Sequence, residues 1–309
     1  MIVIASQNGD VGIRQALGAL WAGGSVLDAL EAGIWPVEDN LADHWVGTAG
    51  MPSILGEVEL DASIMNGADL TAGAVGCVKG FPHPISIARK VMETLPHVFL
   101  VGAGAERFAA EMGFARAELL TPDTRATWLA DLAGLVADPA ELAGQNLVGI
   151  VREFSNPRRT RGTVNFIVRD GQGNLATGVS TSGYYGKYPG RLGDSPVIGA
   201  GNYADSRYGA AACTGMGEMA IRASTARSLV LYLKMGHSLE AAGVQAMRDL
   251  RDLGGPYSAE MNILAMDRDG NCAGFSSAQG RTYVYLDNPA AEIEVRPRAV
   301  VDLPQRWDF

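Results

Sequence analysis

Two stretches of this chain share one design, and together they limit its fold more than any other feature. Residues 163–181, TVNFIVRDGQGNLATGVST, alternate through Val164, Phe166 and Val168, turn over Asp170 to Asn174, and climb back. Residues 261–277, MNILAMDRDGNCAGFSS, repeat the pattern around the same Asp, Gly and Asn turn chemistry. Period-two alternation broken by such residues marks a β-hairpin. Between the two lie helical stretches. EMAIRASTARSLVLYLKM puts Met219, Ala223, Ala226, Val230 and Leu233 on one stripe, and SLEAAGVQAMRDLRDLGG is capped by Ser238 and stopped by Gly254. Strands, then helices, then strands predict an α+β fold, antiparallel sheet with helices layered on it.

The first half mixes helices with short strands. SVLDALEAG starts at an N-cap, Ser25, with Asp28 three residues on, and Gly33 ends it. ISIARKVMETL is a second amphipathic helix, and HVFLVGAGAERFAAEMGF reads as strand, turn and helix. Gly102 and Gly104 invite a dinucleotide-binding reading, but Arg107 stands at the third glycine position and no acidic residue closes a second strand at the required distance. Residues 115–160 are polar and helical in character and end in REFSNPRRTRG, where Pro157 and the three arginines after it suggest an exposed, poorly ordered approach to Gly162.

A chain of 309 residues, 47% hydrophobic, can bury a large core, and no linker divides it, so residues 1–309 read as a single domain. It lacks an apolar run of about eighteen residues and its start has no basic region, which excludes a membrane span or signal peptide and reads as cytoplasmic. A net charge of −9 disfavours nucleic acid and anionic membranes as partners and leaves a small molecule or peptide. Cys77, Cys213 and Cys272 are odd in number and without CxxC spacing, so neither a disulfide framework nor a metal site is expected. None of His44, His83, His97 and His237 lies among other polar candidates, so a hydrolase built from this chain must find its base elsewhere.

The first hairpin's register supplies a candidate. If residues 170–174 form the loop, Arg169 faces Leu175 and the pairing continues until Thr163 faces Thr181. Opposed Cβ atoms lie about 4.5–5.5 Å apart, so two hydroxyls meet at the open end, although a plain Thr–Thr pair is also ordinary sheet chemistry. The next segment, SGYYGKYPGRLGDSPVIGAGNYAD, has no period, and Arg191 and Asp194 stand within it among turn residues. They make either an exposed ion pair or a clamp for the carboxylate and ammonium of an amino acid. In AAACTGMGEMAIR a small-residue strand leads through Thr214 and Gly215 into a helix, which suits an oxyanion hole or a close-packed turn. A nucleophile, a clamp and an anion hole are then present without a base. If the Gly162–Thr163 bond is cut, the free amine of Thr163, with a pKa of about 7.7–8.0, can take the hydroxyl proton.

The run from GTVNFIVRD through GRLGDSP to CTGMGE, with GEVELDASIMNGADLTAGAVG upstream, resembles the N-terminal-nucleophile hydrolases of the plant-type asparaginase and glycosylasparaginase group. The resemblance covers nearly the whole chain. It implies a four-layer αββα sandwich and self-cleavage into an α chain, 1–162, and a β chain, 163–309. It implies that Thr163 is the nucleophile, that Thr181 tunes it, that Arg191 and Asp194 bind the substrate α-carboxylate and α-amino group, and that Thr214 and Gly215 form the oxyanion hole. The implied reaction releases L-aspartate from L-asparagine or β-aspartyl derivatives by an ester intermediate. No cofactor is implied; a structural sodium ion and a homodimer of αβ units are consistent with it. Gly162 resembles the plant-type members, whereas WVGTAGMPSILGEVELDASIMNG resembles the glycosylasparaginase version. The tryptophan those enzymes place near the N-terminus is replaced by ASQNG, and Met216 replaces a second threonine. The alternatives are a glycosylasparaginase acting on GlcNAc-asparagine and, from another class, an amino-acid-binding homologue that never cleaves.

Overall fold

A computed structural model describes residues 1–155 and 162–308. The basic approach at 158–161 lies outside the described residues. In chain order the strands are β1 (Ile2–Ser6), β2 (Leu60–Asn66), β3 (Ala72–Val78), β4 (Phe99–Val101), β5 (Val164–Arg169), β6 (Leu175–Thr181), β7 (Asn202–Asp205), β8 (Gly209–Gly215), β9 (Tyr257–Ser258), β10 (Met261–Asp267), β11 (Cys272–Ser276), β12 (Thr282–Leu286), β13 (Glu294–Pro297), β14 (Ala299–Val300) and β15 (Arg306–Trp307). The helices are α1 (Ile13–Trp21), α2 (Val26–Glu38), α3 (Pro84–Thr94), α4 (Gly102–Glu111), α5 (Pro122–Leu132), α6 (Leu147–Phe154), α7 (Gly217–Ala223), α8 (Thr225–Lys234) and α9 (Leu239–Arg251). The fold is a mixed α+β one. None of the described helices is long and apolar enough to cross a membrane.

An eight-stranded sheet runs β13-β12-β1-β5-β6-β2-β3-β4, a five-stranded one runs β14-β11-β10-β8-β7, and β15 pairs with β9. Both expected hairpins form. Arg169 faces Leu175 and Val164 faces Ser180, and in the second hairpin Asn262 faces Ser276 and Met266 faces Cys272. Their turns close alike. The Asn174 backbone N–H and side-chain amide donate to Asp170 at 2.8 and 2.7 Å, and those of Asn271 donate to Asp267 at 2.9 and 2.8 Å.

Alternation along the strands explains how the sheets are covered. Phe166 and Val168 join a core with α1 to α4, whereas Ile167 between them joins a core with Ala210, Ala212, Leu264 and Met266 of the five-stranded sheet. In β8, Ala211 and Cys213 pack with α7, α8 and α9, and Ala210 and Ala212 face the other way. Each strand therefore reads apolar on both faces, and the run of alanines lets one sheet approach the other closely.

Three helices depart from expectation. Ser25 and Asp28 make the capping box, but α2 runs through Gly33 and Pro36 to Glu38. Gly33 is required by packing instead: a Cβ there would sit 2.8 Å from both Ala16 Cβ and the Phe166 ring. The helix expected from residue 218 onward is broken into α7 and α8 at Ser224, which takes a left-handed conformation at φ 48°. Likewise α9 begins after Ser238 as expected, but it ends at Arg251, before Gly254 is reached. All three cysteines are free; Cys77 and Cys213 are buried, and Cys272 is partly exposed.

Candidate active site

The open end of the β5–β6 hairpin brings the two threonines together as the register requires. Thr163 Oγ1 donates to Thr181 Oγ1 at 3.3 Å. The Thr181 hydroxyl donates in turn to the carbonyl oxygen of Gly162 at 2.9 Å and accepts from Gly183 N–H at 2.9 Å. It therefore touches both sides of the Gly162–Thr163 peptide bond. Gly162 packs against Trp45 so closely that a Cβ at this position would overlap the tryptophan's own Cβ and Cγ.

Thr163 and Gly162 stand on the wall between two cavities. The smaller is lined by Thr181, Arg191, Asp194 and Gly215 and measures about 10 Å³. That is room for about one water. The larger, about 860 Å³, carries Thr214, Gly215, Asn262, Arg281 and Arg298 on its lining. Thr181, Arg191, Asp194, Thr214 and Gly215 thus each line one or both cavities beside Thr163.

Arg191 and Asp194 do not form the exposed pair that was one of the two expectations. Arg191 donates Nε and Nη2 to Glu218 at 2.8 and 2.7 Å, a bidentate pair from the first turn of α7. Asp194 is 4% exposed and its Oδ2 has no hydrogen-bond partner among the described residues. Burial pushes its carboxyl up to about 7, against the pull of Arg191. The side chain fits because Gly217 has none: a Cβ there would lie 2.8 Å from Asp194 Oδ1.

Thr214 is the penultimate residue of β8 and lies on the larger cavity, its hydroxyl making no hydrogen bond among the described residues. Gly215 follows at φ 122°, in the left-handed region, and any Cβ there would collide with the carbonyl of Glu260. Glycine is needed for β8 to leave the sheet at this point.

Several further groups beside Thr163 carry no assigned role in the sequence. Ser6 Oγ, at the end of β1, donates to Asn8 at 2.7 Å and accepts from Asn165 N–H at 3.1 Å. Asn8 Nδ2 donates to Asp43 at 2.8 Å, and Asp43 accepts from Trp45 N–H at 2.9 Å. The Trp45 carbonyl accepts from Ser182 N–H at 2.7 Å. This chain of contacts runs from Ser6, whose hydroxyl lies 3.4 Å from the Thr163 carbonyl oxygen, to Ser182, next to Thr181. It joins segments around residues 6–8, 43–45, 165 and 182, which no local pattern connects. Glu218 was visible inside the TGMGE element, but its partner is 27 residues upstream.

Among the described residues no group of three or more His, Cys, Asp or Glu side chains could hold a metal ion. The arrangement offers a hydroxyl nucleophile beside a second hydroxyl, a buried carboxylate next to a guanidinium, and a threonine and glycine at a strand end. These are the parts of a site that attacks an amide carbonyl.

A family model described as asparaginase matches residues 10–292. The chain is 36% identical over 287 residues to a plant-type L-asparaginase of Pyrococcus furiosus, covering 92% of this chain and 91% of that one. It is 40% identical over 223 residues to an isoaspartyl peptidase/L-asparaginase of Bos taurus, covering 71% and 67% of the two chains. It is also 33% identical over 291 residues to an N(4)-(beta-N-acetylglucosaminyl)-L-asparaginase of Elizabethkingia miricola, covering 91% and 79%.

Proposed function

Because this chain belongs to the asparaginase family, we propose that it is an N-terminal threonine amidohydrolase that cleaves the side-chain amide of L-asparagine or of β-aspartyl derivatives and releases L-aspartate. The observation that carries this reading is the hydrogen bond from Thr181 to the Gly162 carbonyl, with Thr163 Oγ1 alongside.

The nucleophile is released first. Thr163 Oγ attacks the Gly162 carbonyl carbon, the Thr181 hydroxyl steadies the developing oxyanion, the C–N bond breaks with the nitrogen taking a proton, and an ester forms. Water hydrolyses that ester, leaving a carboxylate at Gly162 and a free amine on Thr163. The smaller cavity, now about 10 Å³, is too small for an aspartyl group while Gly162 occupies its wall; departure of that chain end opens it.

In the mature site the free amine accepts the Oγ proton and Oγ attacks the substrate's side-chain carbonyl. Thr214 and the Gly215 N–H face the oxyanion. Arg191, oriented by Glu218, holds the α-carboxylate, and ionised Asp194 holds the α-ammonium. The amine leaves with a proton, and water hydrolyses the β-aspartyl ester. The chemistry needs no group beyond the chain's own residues.

The αββα sandwich goes with this reading; it is supported by the separate cores on the two faces of each sheet. So does a homodimer of αβ units, tested by solution mass. A cytoplasmic setting is supported by three free cysteines. The structural sodium ion stays part of the proposal. Glycosylasparaginase activity is the second reading, favoured by the large cavity and the likeness to the Elizabethkingia miricola protein. The test is intact mass of fresh protein beside Thr163→Ala, followed by aspartate release from asparagine, a β-aspartyl dipeptide and GlcNAc-asparagine. Two fragments in the wild type alone, with aspartate released, is the expected result. An uncut chain that releases none overturns the proposal.

A further inference from the structure

The reaction described above uses one side of the larger cavity, and the lining continues to Arg298 between β13 and β14. Arg298 is 7% exposed. Its Nε donates to the Thr282 carbonyl at 3.0 Å and its Nη1 to the Ile263 carbonyl at 2.8 Å, so the guanidinium spans from β12 of one sheet to β10 of the other. Two carbonyls orient a cation without neutralising it. Among the described residues no carboxylate forms an ion pair with Arg298, whereas Arg281, the other arginine on this lining, donates to both oxygens of Glu260 at 2.7 Å. Among the described residues Nη2 of Arg298 makes no hydrogen bond, and the side chain lines the cavity. Burial pushes this guanidinium down to about 10, so it keeps its charge at neutral pH. The Tyr283 ring, 5.9 Å from the guanidinium, and the charge of Glu260 beyond ion-pair distance offset it only in part, and a buried cation without a paired anion is costly.

Its position relative to the reacting carbonyl follows from the register. Ile263, whose carbonyl Nη1 reaches, faces Cys213, and the neighbouring pair is Asn262 with Thr214. The guanidinium therefore lies near the strand next to the one carrying Thr214, and neighbouring strands are about 4.8 Å apart. In a β-aspartyl dipeptide the free α-carboxylate sits one carbon beyond the amide nitrogen. Ammonia has no such group, and a sugar amine carries none.

Resting on the reaction proposed above, we infer that Arg298 is the leaving-group specificity residue of this site: its guanidinium receives the α-carboxylate of the amino acid split from a β-aspartyl dipeptide. Arg281 cannot take this part without giving up Glu260. Asp43, a carboxylate on the same lining, is held by Asn8 and by Trp45 N–H.

The test compares β-aspartyl-alanine with β-aspartyl-alaninamide, which differ only in that charge, on processed protein. A charged hydrogen bond corresponds to a preference of about tenfold or more in kcat/KM for the acid. That preference falls to about one in Arg298→Met. Should Arg298→Met not fold, Arg298→Lys decides: a retained but reduced preference is expected there. Equal turnover of acid and amide by the wild type, or a preference undiminished in Arg298→Met, overturns the assignment even while asparagine is hydrolysed. Release of aspartate from neither the dipeptides nor asparagine overturns the underlying reaction as well.

Discussion

Thr181 donates its hydroxyl proton to the carbonyl oxygen of Gly162, 2.9 Å away, while accepting that of Thr163 at 3.3 Å. In the self-cleavage proposed above, one side chain thus serves the electrophile and the nucleophile of the same peptide bond. Thr181→Val keeps the shape and removes both contacts. Self-cleavage is expected to slow by about 10²–10³, as when an oxyanion donor is lost. Thr181→Ser should cleave much faster than Thr181→Val in a time course of intact mass.

Thr163→Ala removes the attacking atom altogether. The chain should stay in one piece, and aspartate release should fall by at least about 10⁴, the usual loss for a nucleophile. A coupled assay for aspartate, run on protein whose mass has been checked, measures this.

Gly162→Ala would place a methyl group on Trp45. Overpacking of this sort costs about 1–3 kcal/mol, and here it also displaces the carbonyl that Thr181 holds. The variant should melt lower and cleave more slowly. Adding Trp45→Gly, which removes the overlapping Cβ along with the ring, should restore part of both losses, a coupling that a double-mutant cycle reads directly.

Asp194 gives the site an acid limit. Its carboxyl is raised to about 7 by burial, and only the ionised form attracts an α-ammonium. As pH falls through that value KM should rise, while the amine of Thr163, with a pKa of about 7.7–8.0, becomes protonated and kcat falls too. Asp194→Asn should remove the dependence of KM on pH at the cost of a higher KM throughout.

A second buried pair sits behind the hairpin. Glu38, fully buried, accepts from Ser180 at 2.7 Å and from Ile85 N–H at 3.2 Å, and lies 3.3 Å from His83 Nδ1. Burial raises the Glu38 carboxyl. Burial opposes a rise in His83, and the carboxylate beside it overrides that. Both shifts mean that the folded protein binds protons more tightly than the unfolded one. The His83 contribution is fully present below its unfolded value of about 6.5 and the Glu38 contribution below its unfolded value of about 4.5, and each is lost as pH rises through the folded value. Urea midpoints of Thr163→Ala protein should drop from pH 6 towards pH 8, and Glu38→Gln should flatten that slope.

Much of this was legible in the chain because it depended on neighbours in sequence. The hairpin turns are set by Asp170 with Asn174 and Asp267 with Asn271, and period-two alternation then fixes Thr163 beside Thr181. What depended on distant packing was not. Gly33 looks like a helix stop but makes room for Phe166, which only the placement of α2 over β5 explains. Ser224 breaks a helix without any glycine or proline to announce it. Arg191 and Asp194 were found as a pair by proximity, yet the carboxylate that orients the arginine is Glu218. The contacts from Ser6 to Trp45 come from a part of the chain whose residues share no motif.

β5 lies between β1 and β6, and β6 alone joins it to β2, β3 and β4. Once cut before Thr163, the first piece owns strands that do not touch one another across that gap, and the second piece supplies the two that bridge it. Cutting converts folding from a property of one molecule into an association of two. Melted, processed protein should regain its sheet at a rate that depends on its concentration, and uncut Thr163→Ala protein at a rate that does not. The working form of this chain would then owe its persistence to how slowly it comes apart, more than to how readily it can be put back together.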